Sequence, residues 1–340
     1  DRVYILDNSR IVAHGVPGDV LFDVERLKTY GLEIPVRMKN EAGIPIDICS
    51  EYKKKQLQIC QKVGPAADHV IDHGNTLKDL KKCIVELQKV SYSYVNGNET
   101  FKALSKIDLK IYEGQVLAVI GQTGSGKSTL LQMINKLIVP QSGKVYLYET
   151  DVQSVRNIKE IRRRIGYVFQ FPESQLFEST VLKDVMYGPI NFGMSKSEAE
   201  QSARNALKLV GVPEKYEDYS PFELSGGLKK RVAIAGILAY EPDILILDEP
   251  ACGLDGESKE QLWNLIRKLN REKKVTIILV SHDMEDVYEM SERVLLMDHG
   301  KVVYDGETEG FFDDRELLER YGIEIPDGVK MRQNFKKEVK

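Results

Sequence analysis

The sequence has little of what marks a disulfide-stabilised, zinc-binding or membrane-spanning protein. Its 340 residues include four cysteines, which are scattered rather than paired in a C-x-x-C pattern (Cys49, Cys60, Cys83 and Cys252). Such cysteines are typical of a reducing compartment and argue against a disulfide framework or a structural zinc site. No apolar run approaches the ~18 residues of a membrane-spanning helix, and no signal peptide is visible. We therefore expect any work at a membrane to pass through a partner.

The chain also lacks an excess of positive charge. Lysine and arginine number 48 against 52 acidic residues, so the formal net charge is −4 and no global field attracts nucleic acid. The basic runs at 53–55 and 162–164 are interpreted as solvated faces. His69 and His73 have the spacing of metal ligands, but no third ligand is evident, which favours a solvated helix end. With 42% hydrophobic residues, the composition is that of a globular protein with a substantial core.

An internal repeat links the beginning of the chain to a stretch near its end. Residues 1–35 match residues 292–326 without a gap at an offset of 291, and 13 positions are identical. A match of this length and density is difficult to reach by chance, and such a repeat bears on the whole architecture. In the first copy the identical positions are Arg2, Val3, Asp7, Val12, Gly15, Asp23, Glu25, Leu27, Tyr30, Gly31, Glu33, Ile34 and Pro35.

The strongest chemical signal is a glycine-rich loop between a short apolar run and a helical pattern. Val116–Ile120 predict a buried strand, and the periodicity from Leu130 onward predicts a helix. The loop between them has the P-loop pattern in its proper context, in which glycines let backbone amides turn toward phosphate oxygens and the helix start attracts the same anion. Lys127 would reach the β- and γ-phosphates, and the Ser128 hydroxyl would bind Mg²⁺. The predicted nucleotide-binding residues here are Gly121, Gln122, Thr123, Gly124, Ser125, Gly126, Lys127, Ser128 and Thr129.

Two carboxylates follow a second apolar strand, in the sequence DILILDEP at 243–250. The strand would deliver Asp248 and Glu249 at its carboxyl end, where open α/β sheets place their ligands. Asp248 suits the Walker B role of holding Mg²⁺, and Glu249 can act as general base toward a water. An acidic helix cap is the alternative, but the spacing of 121 residues from Lys127 and the following PACGLD favour catalysis.

Three further stretches add candidates. In LSGGLKKRVAIAG (224–236), Ser225 is a good helix N-cap, and Gly226 and Gly227 leave amides bare, which predicts a second anion-binding helix start. Gln170 follows one predicted strand, and His282 follows another.

This order of motifs resembles the ATPase domain of ABC transporters over roughly residues 84–326. The resemblance implies an α/β fold of the P-loop NTPase type, with a mixed or parallel core sheet, an antiparallel β subdomain and an inserted α-helical subdomain at about 172–225. It also implies the following roles: Glu249, His282, Gln170 and Lys127 catalytic; Ser128, Gln170 and Asp248 metal-binding; Tyr94 stacked on adenine; Leu224, Ser225, Gly226 and Gly227 the signature motif acting in trans; Leu254 and Asp255 the D-loop. Leu228 departs from the family, which usually has Gln there.

The stretch FQFPESQLFESTVLKDVMYGPINFG (169–193) is similar to ATPase subunits of energy-coupling factor (ECF) transporters, which import vitamins and metal ions. The similarity implies a head-to-tail dimer in which ATP on one domain is closed by Ser225 of the other. It further implies a second ABC ATPase domain, a transmembrane coupling subunit and a substrate-binding membrane subunit as partners, and a peripheral location on the cytoplasmic face of the membrane. From the charge balance we expect no nucleic-acid partner. Four apolar residues either floor a groove for the membrane partner or belong to the core: Phe171, Pro172, Leu176 and Phe177.

Within the implied helical subdomain, Ser195 and Glu198 have the spacing of a capping box. The apolar residues that follow at helical spacing are expected to be subdomain core: Ala199, Ala203, Ala206, Leu207 and Val210.

The repeat and the resemblance together predict the domain organisation. We expect residues 1–35 to be the closing strands and helix of a preceding ABC ATPase domain, 36–83 a linker, 84–326 a complete domain, and 327–340 a charged tail. A dedicated accessory hairpin is the alternative for 1–35. The alternative for the whole chain is a soluble tandem ABC ATPase of the translation-factor type, although such proteins typically carry Asn-His where this chain has Cys252 and Gly253.

Overall fold

The computed structural model describes residues 3–7, 10–16, 82–97 and 99–330, together with Val20, Leu27, Thr29 and Leu32. Most of the expected linker, the last ten residues of the expected tail, and the histidines at 69 and 73 lie outside the described residues.

The described strands build three sheets. They are β1 (Val3–Asp7), β2 (Arg10–Gly15), β3 (Cys83–Asn96), β4 (Glu99–Tyr112), β5 (Val116–Ile120), β6 (Ser142–Leu147), β7 (Thr150–Asp151), β8 (Ile165–Val168), β9 (Ile244–Asp248), β10 (Thr276–Val280), β11 (Arg293–Asp298) and β12 (Lys301–Glu307). The central sheet has the order β12-β11-β5-β10-β9-β8, a second sheet has the order β4-β3-β6-β7, and β1 pairs with β2.

The described helices pack on the central sheet or against one another. They are α1 (Lys127–Ile134), α2 (Ile158–Arg164), α3 (Val181–Asn191), α4 (Lys196–Leu209), α5 (Gly226–Leu238), α6 (Gly256–Lys273), α7 (Met284–Met290), α8 (Thr308–Asp313) and α9 (Arg315–Tyr321). Short 3₁₀ turns lie at Pro172–Gln175, Glu214–Tyr216 and Pro221–Glu223. Within the described ranges, none of these helices combines the length and the apolar character needed to span a bilayer.

The central sheet is mixed, as the resemblance implied. Strands β11, β5, β10, β9 and β8 run parallel, and β12 alone is antiparallel to its neighbour. Every residue of β5 and β10 is buried, which is the usual condition of parallel strands covered on both faces. The prediction of a buried strand at Val116–Ile120 is therefore confirmed.

The antiparallel sheet shares a hydrophobic cluster with helix α1 and the central sheet. Leu87 and Leu104 of the antiparallel sheet, Leu130 of α1 and Leu117 of β5 belong to one buried cluster, and none is more than 1% exposed. Each fully buried leucine of this kind contributes about 2 kcal/mol through removal of apolar surface from water. Because α1 is fixed on both sides, its first residue is held firmly at the edge of the sheet.

Helices α3, α4 and α5 pack around a second hydrophobic cluster. The predicted capping box is confirmed: the Ser195 hydroxyl accepts from the Glu198 amide at 3.3 Å, and the Glu198 carboxylate accepts from the Ser195 amide at 2.9 Å. The predicted core positions of this region are also confirmed as buried, namely Ala199, Ala203, Ala206, Leu207 and Val210.

The N-terminal hairpin reproduces the pairing of the hairpin that closes the central sheet. Val3 faces Gly15 in β1 and β2, as Val294 faces Gly306 in β11 and β12. The register shifts at the same place in both hairpins, between Ile5 and Leu6 and between Leu296 and Met297. Every residue pair of β1 and β2 therefore has its counterpart in β11 and β12 at the sequence offset of 291. The repeat in the sequence is thus also a repeat of backbone structure.

Candidate active site

The predicted phosphate loop joins β5 to α1 with a backbone that only glycine accommodates at two points. Gly121 has φ of 143°, and a Cβ there would lie 2.1 Å from the Met297 carbonyl oxygen. Gly126 has φ of 103°, and its Cβ would lie 2.4 Å from the Ala103 carbonyl oxygen. Around Gly124, in contrast, no described heavy atom lies within 4 Å of a Cβ position. The loop is therefore packed tightly against the protein at its ends and open at its tip.

The Lys127 side chain folds into this loop. Its ammonium donates to the carbonyl oxygens of Gly121 and Gln122 at 2.6 and 2.9 Å, and the residue is 7% exposed. Burial lowers the pKa of Lys127, while the nearby carboxylates of Glu249 and Asp248 act in the opposite direction. A partly desolvated ammonium close to the mouth of an amide-lined loop is a strong attractor for phosphate.

Helix α1 begins with its amides uncommitted to a side-chain cap. Gly126 occupies the N-cap position and cannot supply a hydrogen bond. The Ser125 hydroxyl nearby is buried without a hydrogen-bond partner among the described residues. Free amides and the positive end of the helix dipole make this terminus an anion site.

Parallel pairing brings the ends of three strands to the same edge of the sheet. Val280 of β10 lies opposite both Asp248 of β9 and Val119 of β5. His282 therefore follows β10 at the edge where the phosphate loop leaves β5. The sequence placed each residue after its own strand, and the register of the sheet places them together.

Asp248 is held by a residue that the sequence did not reveal. The Tyr167 hydroxyl, on the neighbouring strand β8, donates to Asp248 Oδ2 at 3.2 Å. The Tyr167 ring stacks on Phe169 with centroids 4.2 Å apart. Burial raises the pKa of Asp248, and the Tyr167 hydrogen bond opposes that rise. Tyr167 thereby fixes one carboxylate oxygen, so that the other is the oxygen available to a ligand.

Glu249 is held between two of the other predicted catalytic residues, His282 and Gln170. Its Oε1 lies 2.8 Å from His282 Nε2, and its Oε2 accepts from Gln170 Nε2 at 3.2 Å. The Glu249 backbone is in the left-handed region, at φ of 49°, and its amide donates to the Val280 carbonyl at 3.0 Å. An unfavourable backbone conformation that is held by its surroundings is typical of functional sites. Lys127, Asp248, Glu249, Gln170 and His282 therefore form one constellation.

Tyr94 lies at the far end of the long strand β3 and is 42% exposed. Its hydroxyl is 3.3 Å from the Thr129 hydroxyl at the start of α1, and its ring packs edge-on against Tyr92 with centroids 5.0 Å apart. An exposed ring beside the phosphate loop has the placement that stacking on a nucleotide base requires.

Three of the four predicted signature residues, Ser225, Gly226 and Gly227, are exposed at a helix start of their own, whereas Leu224 before them is buried. Ser225 is the N-cap residue of α5, as predicted, but its side chain makes no capping hydrogen bond within the described chain. No described heavy atom lies within 4 Å of a Cβ position at Gly226 or Gly227. The Ser225 hydroxyl and the first amides of α5 are therefore available to a ligand that approaches from outside the domain.

The four apolar residues after Gln170 divide into two groups. Pro172 and Leu176 are buried, which places them in the core. Phe171 and Phe177 are 58% and 56% exposed, and Phe177 packs edge-on against the exposed Tyr187. We call Phe171, Phe177 and Tyr187 the aromatic patch. Sequence alone could not separate the two groups, because residue type does not report which side of a turn faces solvent.

Comparison with known proteins assigns the family. The sequence model of the ABC transporter family matches residues 104–252. The energy-coupling factor transporter ATP-binding protein EcfA2 of Ligilactobacillus salivarius is 44% identical over 246 residues, which are 71% of this chain and 85% of that protein. EcfA2 of Clostridium tetani is 46% identical over 237 residues, or 69% of this chain and 82% of that protein.

A solved structure gives the same result for the fold. CbiO1 of Clostridium perfringens, part of the ABC transporter complex CbiONQ, matches with a TM-score of 0.61 and 34% identity over 74% of this chain and 99% of its own. The chain therefore belongs to the ABC transporter family, among the ATP-binding proteins of energy-coupling factor transporters, and is an ATPase.

Proposed function

We propose that this ATPase powers an ECF-type importer of vitamins or metal ions, as one half of a head-to-tail pair of ATPase domains on a membrane subunit. The observation that carries the proposal is the Glu249 carboxylate, held between His282 and Gln170 beside the buried Lys127 ammonium. That arrangement suits the activation of a water next to a terminal phosphate. The identity to ECF transporter ATP-binding proteins supports the importer over a soluble tandem ATPase.

In the proposed site, ATP lies with its phosphates in the loop at 121–129 and its adenine on Tyr94. The loop amides and the start of α1 bind the phosphate oxygens, and Lys127 leaves its two carbonyl partners for the β- and γ-phosphates. Before the nucleotide binds, the two carbonyls satisfy the buried ammonium and keep it inside the loop.

The donor set fits a magnesium ion. Ser128 offers an exposed hydroxyl, and Tyr167 commits only one oxygen of Asp248. Gln170 donates to Glu249 through its amide nitrogen, so its amide oxygen is not committed by that bond. Oxygen ligands of this hard type are those that Mg²⁺ prefers. When bound, the ion would neutralise charge on the phosphate oxygens.

Glu249 is the proposed general base. Its carboxylate takes the proton of a water that attacks the γ-phosphate. His282 holds this carboxylate through Nε2–H, and the imidazole turns to the phosphate when ATP is bound. Gln170 links this carboxylate to strand β8, and through it to the segment that carries Phe171.

The second domain of the proposed pair supplies the signature residues. Ser225, Gly226 and Gly227 lie at the exposed start of α5, while Lys127 begins another helix, α1, and Glu249 follows strand β9. A facing domain that brings Ser225 to the γ-phosphate would complete the site with a second helix terminus. An ATP-binding cassette of similar fold, MJ0796, is dimeric in a state bound to ADP and Pi; it is 34% identical, with a TM-score of 0.61 over 66% of this chain and 99% of its own.

The aromatic patch is the proposed contact to the membrane subunit. Exposed aromatic side chains on a surface are typical of interaction sites. Phe171 of the patch follows Gln170 directly, so a movement of the partner at Phe171 would reach Glu249 through the hydrogen bond from Gln170. Contact there would place the chain on the cytoplasmic face of the membrane. We also propose, on the matching hairpins, that residues 1–35 derive from a preceding ATPase domain.

The test of the importer role is recovery of the chain with solubilised membranes. Tagged parent chain is expected to bring down a multi-span membrane protein, identified by mass spectrometry. Phe177→Ser should lower that recovery by about 10-fold, because an aromatic anchor at an interface is typically worth 1–2 kcal/mol or more. The ATPase rate of the purified chain should stay unchanged.

Val139→Ser is the matched control, since Val139 is an equally exposed apolar residue, at 50%, outside the aromatic patch. If Phe177→Ser brings down as much of the membrane protein as the parent chain does, the aromatic patch is not the contact to the membrane subunit. Recovery of the parent chain without any multi-span protein would instead favour the soluble alternative.

A further inference from the structure

An ion pair behind the active site joins the two helices that follow the catalytic residues. Lys259 of α6 lies 2.7 Å from Asp283 Oδ2 and 3.0 Å from Asp286 Oδ1 of α7. Trp263, one turn further along α6, donates to Asp286 Oδ1 at 2.9 Å. The Lys259 side chain is only 14% exposed and Asp286 is 5% exposed, so this cluster is far better shielded than a surface ion pair.

Asp283 connects the ion pair to the catalytic histidine, because it follows His282 directly. Both of its carboxylate oxygens are occupied: Oδ2 by Lys259, and Oδ1 by the Glu285 amide at 2.9 Å, which caps α7. With both oxygens fixed, the backbone at the end of His282 has little freedom. The 2.8 Å contact between His282 and Glu249 therefore depends on where Asp283 is anchored.

Lys259 is anchored in turn to the chain that leaves Glu249. The Cys252 amide donates to the Glu249 carbonyl at 3.1 Å, and the Leu254 amide donates to the Ala251 carbonyl at 3.1 Å, so the connection to α6 is compact. Asp255 caps α6 through the Ser258 amide at 2.8 Å, and its carbonyl accepts from the Lys259 amide at 2.9 Å. The Lys259 side chain thus connects the segment that follows Glu249 to the segment that follows His282.

The charges in this cluster are balanced in a way that keeps the lysine ionised. Burial alone would lower the pKa of Lys259, but the hydrogen bonds and charges of Asp283 and Asp286 together raise it above its usual range. Burial and the charge of Asp283 raise the pKa of Asp286 to about 7, against the effect of Lys259 and Trp263. Removing the lysine would leave two close carboxylates without their cation.

We propose that Lys259 is a positioning residue for hydrolysis, which holds His282 against Glu249 through Asp283 without touching the nucleotide. The proposal rests on the catalytic roles given above to His282 and Glu249. Without the Lys259 ammonium, Asp283 turns away and the His282 imidazole is displaced from its position against Glu249. A displacement of that kind affects the chemical step more than the binding of ATP, since ATP is held by the loop at 121–129.

The test compares Lys259→Met with Arg267→Met. Arg267 forms a second shielded ion pair between the same two helices, 3.3 Å from Glu289, and its side chain is 13% exposed. Both variants should lower the melting temperature by a similar amount. We expect kcat for ATP hydrolysis to fall about 10-fold in Lys259→Met with KM for ATP within about twofold, and to be unchanged in Arg267→Met. Lys259→Arg, which keeps the charge, should restore much of kcat.

Asp283→Asn gives a second reading that does not depend on the stability of Lys259→Met. It keeps the shape and the oxygen that caps α7 but removes the charge that Lys259 binds, so it should lower kcat in the same direction. The double variant should lose little more than Lys259→Met alone, because both changes break one link. Equal kcat in Lys259→Met and Arg267→Met, or full additivity of the two changes, would overturn the proposal.

His282→Ala separates this proposal from the one beneath it. Full activity of His282→Ala removes the catalytic role of the histidine, and the positioning role of Lys259 falls with it. An inactive His282→Ala, together with a Lys259→Met that behaves like Arg267→Met, leaves the hydrolytic roles intact and rejects only the positioning role.

Discussion

Glu249→Gln is expected to lower kcat for ATP hydrolysis by about 10²- to 10⁴-fold while ATP binding persists. Glutamine has the shape of glutamate, and its one carbonyl oxygen can still accept a hydrogen bond from either His282 or Gln170, which lie 2.8 and 3.2 Å from the carboxylate. It cannot accept the proton of the attacking water. Because hydrolysis would release the proposed dimer, ATP should trap this variant as a dimer, which size-exclusion chromatography with Mg·ATP would detect.

Glu241→Gln is the matched control for this change. Glu241 is exposed and pairs with Lys273 at 2.6 Å on the surface, so its substitution should leave kcat and the oligomeric state as they are in the parent. A Glu249→Gln variant that hydrolyses ATP at the parent rate would show that Glu249 is not the base.

Lys127→Ala is expected to weaken the binding of Mg·ATP by about 30-fold or more and to abolish turnover. A hydrogen bond to a charged group contributes about 1.5–3 kcal/mol, and Lys127 is the buried cation of the phosphate loop. Isothermal titration calorimetry with Mg·ATP measures the effect directly.

Lys136→Ala serves as the control for Lys127→Ala. The Lys136 ammonium also donates to a backbone carbonyl, that of Val155 at 2.6 Å, but it lies beyond the other end of α1. Its removal should leave the affinity for ATP unchanged. Undiminished heat of binding in Lys127→Ala would contradict the assignment of the phosphate loop.

The parts of the site that lie on continuous motifs could be predicted from the sequence. The glycines around Lys127 and the pair Asp248–Glu249 are each recognisable from their neighbours in the chain, because each group stands at or next to the carboxyl end of an apolar strand, where ligands bind in such sheets. The capping box at Ser195 and Glu198 is local in the same sense. For His282 and Gln170 the position after a strand was informative only together with the resemblance.

The parts that depend on contacts between distant segments could not be predicted. Tyr167 reaches Asp248 because β8 pairs with β9 in one particular register, which no local pattern specifies. Lys259 and Asp286 look in the sequence like ordinary charges on helix surfaces, although the fold buries them against each other. The sequence could not predict that Ser225 makes no capping hydrogen bond, since a serine at a helix start normally makes one.

The central claim is that each ATP site is assembled from two domains, and mixing two inactive variants tests it most directly. Lys127→Ala removes the phosphate-loop cation, whereas Gly226→Glu places a carboxylate at the start of α5, where a Cβ would have no described heavy atom within 4 Å. Each variant alone should be inactive. In an equal mixture, half of the dimers combine the two variants and retain one intact site, so about a quarter of the parent rate should return. A mixture that stays inactive although its chains associate, or a Gly226→Glu variant that hydrolyses ATP normally by itself, would contradict the account.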